Sequence, residues 1–215
     1  MRSILLKPST NQRKPTMRKI IVYNVISLDG YHTGVANDVS VMFPMMGDVF
    51  DTYNAELLRN ADVHLIGRVS FELFQGFWPK VAENPDSDEW TDGQRDLSQS
   101  SKHVKGMVIS DTLTGNWQDV RIVKRQDAYQ QITDLKQQDG KDILITGSKT
   151  LWNDLLAHGL IDEIHLLVGS RILGNGVPVF AGGTPASLKL IETRRWENSD
   201  NVLLRYEVTH KTSNQ

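Results

Sequence analysis

Two short stretches carry residue types suited to holding an anion, Gly67-Arg68-Val69-Ser70 and Gly147-Ser148-Lys149. Each follows a brief apolar run, Ala61 to Leu65 and Ile143 to Ile145, and each opens onto a helical pattern. A glycine turn between strand and helix leaves backbone N–H groups without intrahelical acceptors, and these point at whatever anion settles there. Arg68 adds a guanidinium fork and Ser70 a hydroxyl, an arrangement suited to a phosphate ester. Each stretch also has an ordinary reading: Gly147-Ser148 is a common strand-to-helix turn with Ser148 as the cap, and Arg68 is equally a surface arginine.

Proton transfer needs a carboxyl or an imidazole near the same strand ends. Asp51, on a helical pattern that starts at Asp48, is the first candidate and Asp29, in Ser27-Leu28-Asp29-Gly30, the second. For Asp29, capping the loop before Gly30 is the stronger reading. His32 is a further polar group near the mouth, but one histidine beside a loop makes no metal site.

The elements that must position these groups follow from apolar spacing. Ile20 to Ile26 is a near-continuous apolar run, the mark of a central strand covered on both faces, with Asn24 as its polar interruption. Asp38 to Met46 shows no period and reads as an apolar, methionine-rich loop along a cleft. Trp78 to Gly93, rich in acidic and turn residues, reads as an excursion between elements. Strands are expected near Val104 to Ile109 and Val120 to Val123, and a helix over Asp127 to Gln138. Asp142 to Phe180 then supplies a β-α-β unit, with Leu151, Trp152, Leu155 and Leu156 on one helical face and Ile161 to Val168 as the second strand. Leu188 to Trp196 and Val202 to Val208 read as an antiparallel pair. The expected fold is α/β, with a mixed, mainly parallel central sheet flanked by helices and antiparallel C-terminal strands. Residues 1–16 are expected to form a flexible extension, 17–210 a single domain and 211–215 a polar tail.

Composition narrows the function. A formal charge of −2 gives no reason to expect nucleic acid. No apolar run approaches the roughly 20 residues that cross a bilayer, so cytoplasm is the expected compartment. Cysteine is absent, which removes disulfides, thiol nucleophiles and thiolate metal ligands together. Redox chemistry would have to come from a bound cofactor.

Taken in order, the pieces resemble the dihydrofolate-reductase-like superfamily, most closely stand-alone relatives of the C-terminal reductase domain of bifunctional riboflavin-biosynthesis proteins. The resemblance spans about Met17 to Val208. It rests on Ser27-Leu28-Asp29-Gly30, Leu65-Ile66-Gly67-Arg68-Val69-Ser70-Phe71-Glu72, Ile109-Ser110, Ile143-Leu144-Ile145-Thr146-Gly147-Ser148 and Leu160-Ile161-Asp162-Glu163-Ile164, followed by Gly174-Asn175-Gly176-Val177-Pro178-Val179-Phe180. It implies an NADPH site across the strand ends. Gly67, Arg68, Val69 and Ser70 would approach the cofactor's phosphate region, Ser110 its adenosine half, and Gly147, Ser148 and Lys149 its pyrophosphate. Val25, Ile26 and Gly30 would border the nicotinamide. The zinc deaminase of the bifunctional proteins needs cysteine and is excluded here.

The expected activity is reduction of a small heterocyclic or carbonyl substrate, with a pterin, a folate or a riboflavin-pathway pyrimidine as the ring. Arg68 would favour NADPH over NADH. No clear cationic cluster offers itself for a phosphate on the substrate, since Arg171 and Lys80 lie in loops of unspecified path. The alternative is a non-catalytic, nucleotide-responsive or interaction protein on the same scaffold. A homodimer is expected, because the antiparallel C-terminal pair leaves an edge that gains from a partner.

Overall fold

The structure, a computed structural model, describes residues 17–180, 182 and 185–209; the expected extension 1–16 and tail 211–215 lie outside the described residues. In chain order the elements are β1 (Ile20–Ile26), β2 (Tyr31–Thr33), α1 (Phe43–Arg59), β3 (Ala61–Gly67), α2 (Arg68–Glu83), α3 (Asp92–Ser101), β4 (Lys105–Ile109) and β5 (Val120–Val123). There follow α4 (Arg125–Gln137), β6 (Asp142–Thr146), α5 (Lys149–Ala157), β7 (Glu163–Val168), β8 (Val177–Pro178), β9 (Ser187–Arg195) and β10 (Val202–Thr209).

Eight strands form one sheet in the order β5-β4-β3-β6-β1-β7-β10-β9, with β2 and β8 paired separately. The strands from β5 through β7 run parallel, and β10 and β9 close the sheet antiparallel. All seven residues of β1 are buried, as a doubly covered strand requires. Ile20, Val22 and Ile26 join a core under α4 and α5, built with Ile132, Trp152 and Leu155. Ile21, Tyr23 and Val25 face the other way, into a core with Val49, Phe50, Tyr53 and Leu58 of α1. Period-two alternation thus assigns one helical layer to each side of the sheet. Among the described residues no helix is long and apolar enough to cross a membrane.

Two segments differ from expectation. The stretch from Asp38 to Met46 is not an open loop: Ser40–Met42 forms a 3-10 turn and α1 starts at Phe43. Pro44 fits in its first turn, where a missing N–H is not needed, and Gly47 interrupts the helical backbone before Asp48. The excursion from Trp78 to Gly93 is mostly helical at its two ends. Helix α2 continues through Pro79 to Glu83, and α3 begins with a reciprocal cap between Thr91 and Gln94. That spacing was readable as a capping box. The acidic and turn residues occupy only the stretch between the two helices.

Candidate active site

Because β3 and β6 are adjacent and parallel, their carboxyl ends emerge side by side, and so do the glycine turns that follow them. The two turns are hydrogen-bonded to each other. The Gly67 N–H donates to Ser148 Oγ at 3.0 Å, and the Ser148 N–H donates to Ser70 Oγ at 3.1 Å. Ser148 stands at the N-cap position of α5, but its side chain makes no capping bond. The expected cap is therefore corrected: a left-handed backbone at Ser148 (φ 50°) turns the hydroxyl toward the neighbouring junction instead. Gly147 is also left-handed (φ 66°), a conformation that a side chain would strain.

Beside these turns lies a cleft of about 710 Å³ on the α4/α5 side, lined by Gly67 to Ser70, Ser110, Asp111, Arg125, Tyr129 and Thr150 among others. Arg68 is at its rim, held by Glu72 one turn along α2 at 2.8 and 3.0 Å. Val69 is exposed, whereas Ser110 is buried. Ser110 Oγ accepts the N–H groups of Thr112 and Leu113, so its own O–H is what it can present to a ligand. Arg125 was not singled out from the sequence. Its N–H donates to Asp111 Oδ1 at 3.0 Å, and its Nε lies 3.5 Å from Asp111 Oδ2. This third strand-to-helix junction carries no glycine, so only its adjacency in the folded sheet identifies it.

At the other end, β1 outruns β6. Pairing between them stops at Tyr23 and Thr146, while β1 continues beside β7 to Ile26 and Val168. Val25 and Ile26, both buried, thus lie in the notch beyond the end of β6. Gly30 is fixed close by, donating to Ser27 O and accepting from Val179 N. Several buried polar atoms have no partner among the described residues: both amide atoms of Asn24, His32 Nδ1, Thr33 Oγ1 and Trp152 Nε1. An unmet buried donor or acceptor costs about 1–3 kcal/mol, so these groups favour a ligand or water that meets them. Burial, reinforced by the positive charge of Lys149, lowers the His32 pKa to about 4 and keeps the ring neutral near pH 7.

The two candidate proton donors differ sharply. Helix α1 runs through Asn60 directly into β3, so the first half of α1 lies toward the carboxyl ends of the strands. Asp51 sits there, one turn before Asn54, whose Oδ1 accepts the Thr146 hydroxyl at 3.2 Å. Burial first, and the charge of Asp48 second, push the Asp51 pKa up to about 7. Asp48 is held in place by the Gly93 N–H of α3 at 2.8 Å. Asp29 accepts the Ser27 hydroxyl at 2.6 Å and the N–H groups of Leu173 and Gly174 at 3.1 and 2.8 Å. The Ser27 bond above all, with the two backbone donors, lowers its pKa to about 2. A carboxylate held this way has no proton to deliver at neutral pH, and it ties the Ser27 to Gly30 turn to the loop after β7. The sheet separates Asp51, on the α1 side, from the cleft on the α4/α5 side.

The RibD C-terminal domain profile matches residues 18–204. Protein YyaP of Bacillus subtilis (strain 168), itself uncharacterized, is 29% identical over 192 residues, covering 88% of this chain and 94% of YyaP. Among solved structures, a Shewanella sp. PV-4 protein provisionally ascribed to riboflavin biosynthesis aligns with a TM-score of 0.64 and 22% identity, covering 89% of this chain and 99% of its own. A pyrimidine reductase-like protein of Corynebacterium diphtheriae aligns with a TM-score of 0.58 and 15% identity, covering 95% and 96%. At those identities the structural likeness speaks for the fold, while the family follows from the profile, which takes in most of the chain. The chain belongs to the RibD C-terminal domain family, within the dihydrofolate-reductase-like superfamily.

Proposed function

We propose that this protein is a reductase that uses NADPH to reduce a small heterocyclic or carbonyl substrate. The reading is carried by the mutual hydrogen bonding of the Gly67–Ser70 and Gly147–Ser148 turns, which brings two helix N-termini to one cleft at the carboxyl ends of parallel strands. In open α/β sheets that is where ligands bind.

The residues present fit the cofactor. First-turn N–H groups of α2 and α5 offer donors for its phosphates, and Arg68 offers a fork for the ribose phosphate that distinguishes NADPH from NADH. The unpartnered amide of Asn24, beside Val25 and Ile26, offers both a donor and an acceptor to a carboxamide. When bound, the cofactor supplies hydride. The chain's part is to hold the reacting partners in register, to exclude water from the notch and to supply a proton. Asp51 is assigned the last role: at a pKa of about 7 it is half protonated near neutral pH, where an acid is most useful. Asp29 is assigned to positioning the Gly30 turn. A pyrimidine ring is the first substrate class to examine, in keeping with the family and with the C. diphtheriae neighbour.

Titration of the pure protein with NADPH, followed by nicotinamide fluorescence, tests the reading. Saturable binding is expected, followed by oxidation on adding a reducible pyrimidine or pterin. No saturation by about 1 mM, a binding free energy near −4 kcal/mol, sinks it. Binding without turnover of any such ring supports a nucleotide-responsive role instead. Self-association is assigned to β9, an edge strand whose Leu190 and Ile191 are 50% and 42% exposed. Sedimentation at low micromolar concentration is expected to give a two-chain mass, and a one-chain species rejects that assignment.

A further inference from the structure

On the α1 side of the sheet, away from the cleft, a cavity of about 190 Å³ opens beneath α2. Its floor is made by His64 and Ile66 of β3 and Gly106 of β4, and its roof by Phe71, Phe74 and Trp78 of α2. Well-packed interiors leave few voids larger than a water molecule, so a space this large under a helix needs a cause. Gly106 is part of it. Gly106 pairs with His64 across the β3–β4 ladder and contributes no side chain, and a Cβ there would come within 3.1 Å of Val120 Cγ2.

The lining is chemically selective. Phe74 stacks near the His64 ring, with centroids 5.8 Å apart and planes inclined by 26°. His64 Nε2 is buried and has no hydrogen-bond partner among the described residues. Burial lowers the His64 pKa to about 4, so the ring is neutral and offers one nitrogen as acceptor or as N–H. No lysine or arginine lines the space, and Asp119, its one carboxylate, is exposed at the rim. A charged ligand therefore finds no buried counterion, and a purely aliphatic one leaves His64 unmet. An apolar cavity of about 150 Å³ is known to accept benzene, so this space admits one substituted ring.

We propose that this cavity is a second small-molecule site, one that takes an uncharged single aromatic ring bearing one hydroxyl or ring N–H hydrogen-bonded to His64 Nε2. The site stands independently of the reductase reading, since none of the residues assigned to the dinucleotide lines it. The ring would slot among Phe74, Trp78 and Leu58; a hydroxyl would meet His64 Nε2 in either tautomer, and a ring N–H would meet it where Nε2 is the acceptor.

Phenol and toluene form the test pair, nearly equal in size but different in the hydroxyl. Each is titrated into the isotope-labelled full chain, with amide, Trp78 indole and His64 ring signals followed by NMR. Phenol is expected to saturate, with shifts concentrated at Phe71, Phe74 and Trp78, and to bind about fivefold to tenfold more tightly than toluene, the factor for one hydrogen bond. His64→Phe is expected to bring the two affinities together. The His64 ring nitrogens of the native protein should respond to phenol and not to toluene, a measurement that holds even if the variant fails to fold. Equal binding of the two probes to the native chain, shifts that map elsewhere, or no saturation by either probe overturns the proposal.

Discussion

Replacing Asp51 by Asn gives the sharpest check on the proposed chemistry, because the same raised pKa has a consequence for stability that requires no substrate. In the unfolded chain Asp51 titrates near its ordinary value of about 4. In the folded chain, burial and Asp48 raise that to about 7. Below both values the carboxyl is protonated in both states and has no effect. As pH rises between them the unfolded chain releases a proton that the native chain keeps, so native stability falls through this window and levels off above it. Three units correspond to about 4 kcal/mol for a fully shielded group. Asp51 retains some contact with water, so a loss on the order of 2 kcal/mol is expected. Asn has nearly the same shape and no titration. Urea unfolding at several pH values from about 4 to 8 should show the native protein losing stability relative to Asp51→Asn across this range. Once a substrate is in hand, kcat/KM of the native enzyme should fall above about pH 7, and the variant should lose about 10²-fold or more. Parallel stability curves would remove the raised pKa, and an unchanged pH profile for the variant would remove the proton-transfer role.

Arg68→Ala is expected to weaken NADPH by about one to two decades while barely changing NADH, and parallel titrations in which both weaken equally reject the selectivity role. Glu72→Gln frees Arg68 from its exposed pair, worth at most about 1 kcal/mol, and should strengthen NADPH by up to about fivefold; unchanged affinity would mean that Glu72 does not compete with the phosphate. Ser148→Ala removes the acceptor of the Gly67 N–H, so thermal or urea unfolding should show a loss of about 1 kcal/mol together with weaker NADPH binding, whereas unchanged values would show that the two turns hold their places without this bond. Asn24→Leu removes two unpartnered polar atoms of similar volume and should stabilise the unliganded chain by about 1 kcal/mol while weakening the cofactor; weaker binding without a gain in stability would indicate that water already satisfies the amide.

Much of the local structure was legible in the chain because it depends on short-range pattern. The apolar run from Ile20 to Ile26 and the β-α-β unit around Gly147 appear where the periodicity places them, and the strand alternation allots β1 to both cores. Segments with weak periods were read less well. Met42 and Met45 belong to a packed helical start and not to an open loop, and α3 was hidden by its polar composition despite the Thr91-Gln94 cap. What only the tertiary structure decided was adjacency. Nothing between Gly67 and Ser148 in sequence says that β3 and β6 are neighbours, yet that neighbourhood turns two unremarkable glycine turns into one hydrogen-bonded pair and adds Arg125 to their cleft. The two carboxylates show the same division: Asp29 and Asp51 are equivalent as letters. One is held as an anion by the Ser27 hydroxyl and by backbone donors from a loop far along the chain, and the other has its pKa raised by burial and by Asp48, because pKa depends on solvation and on neighbours that folding brings together.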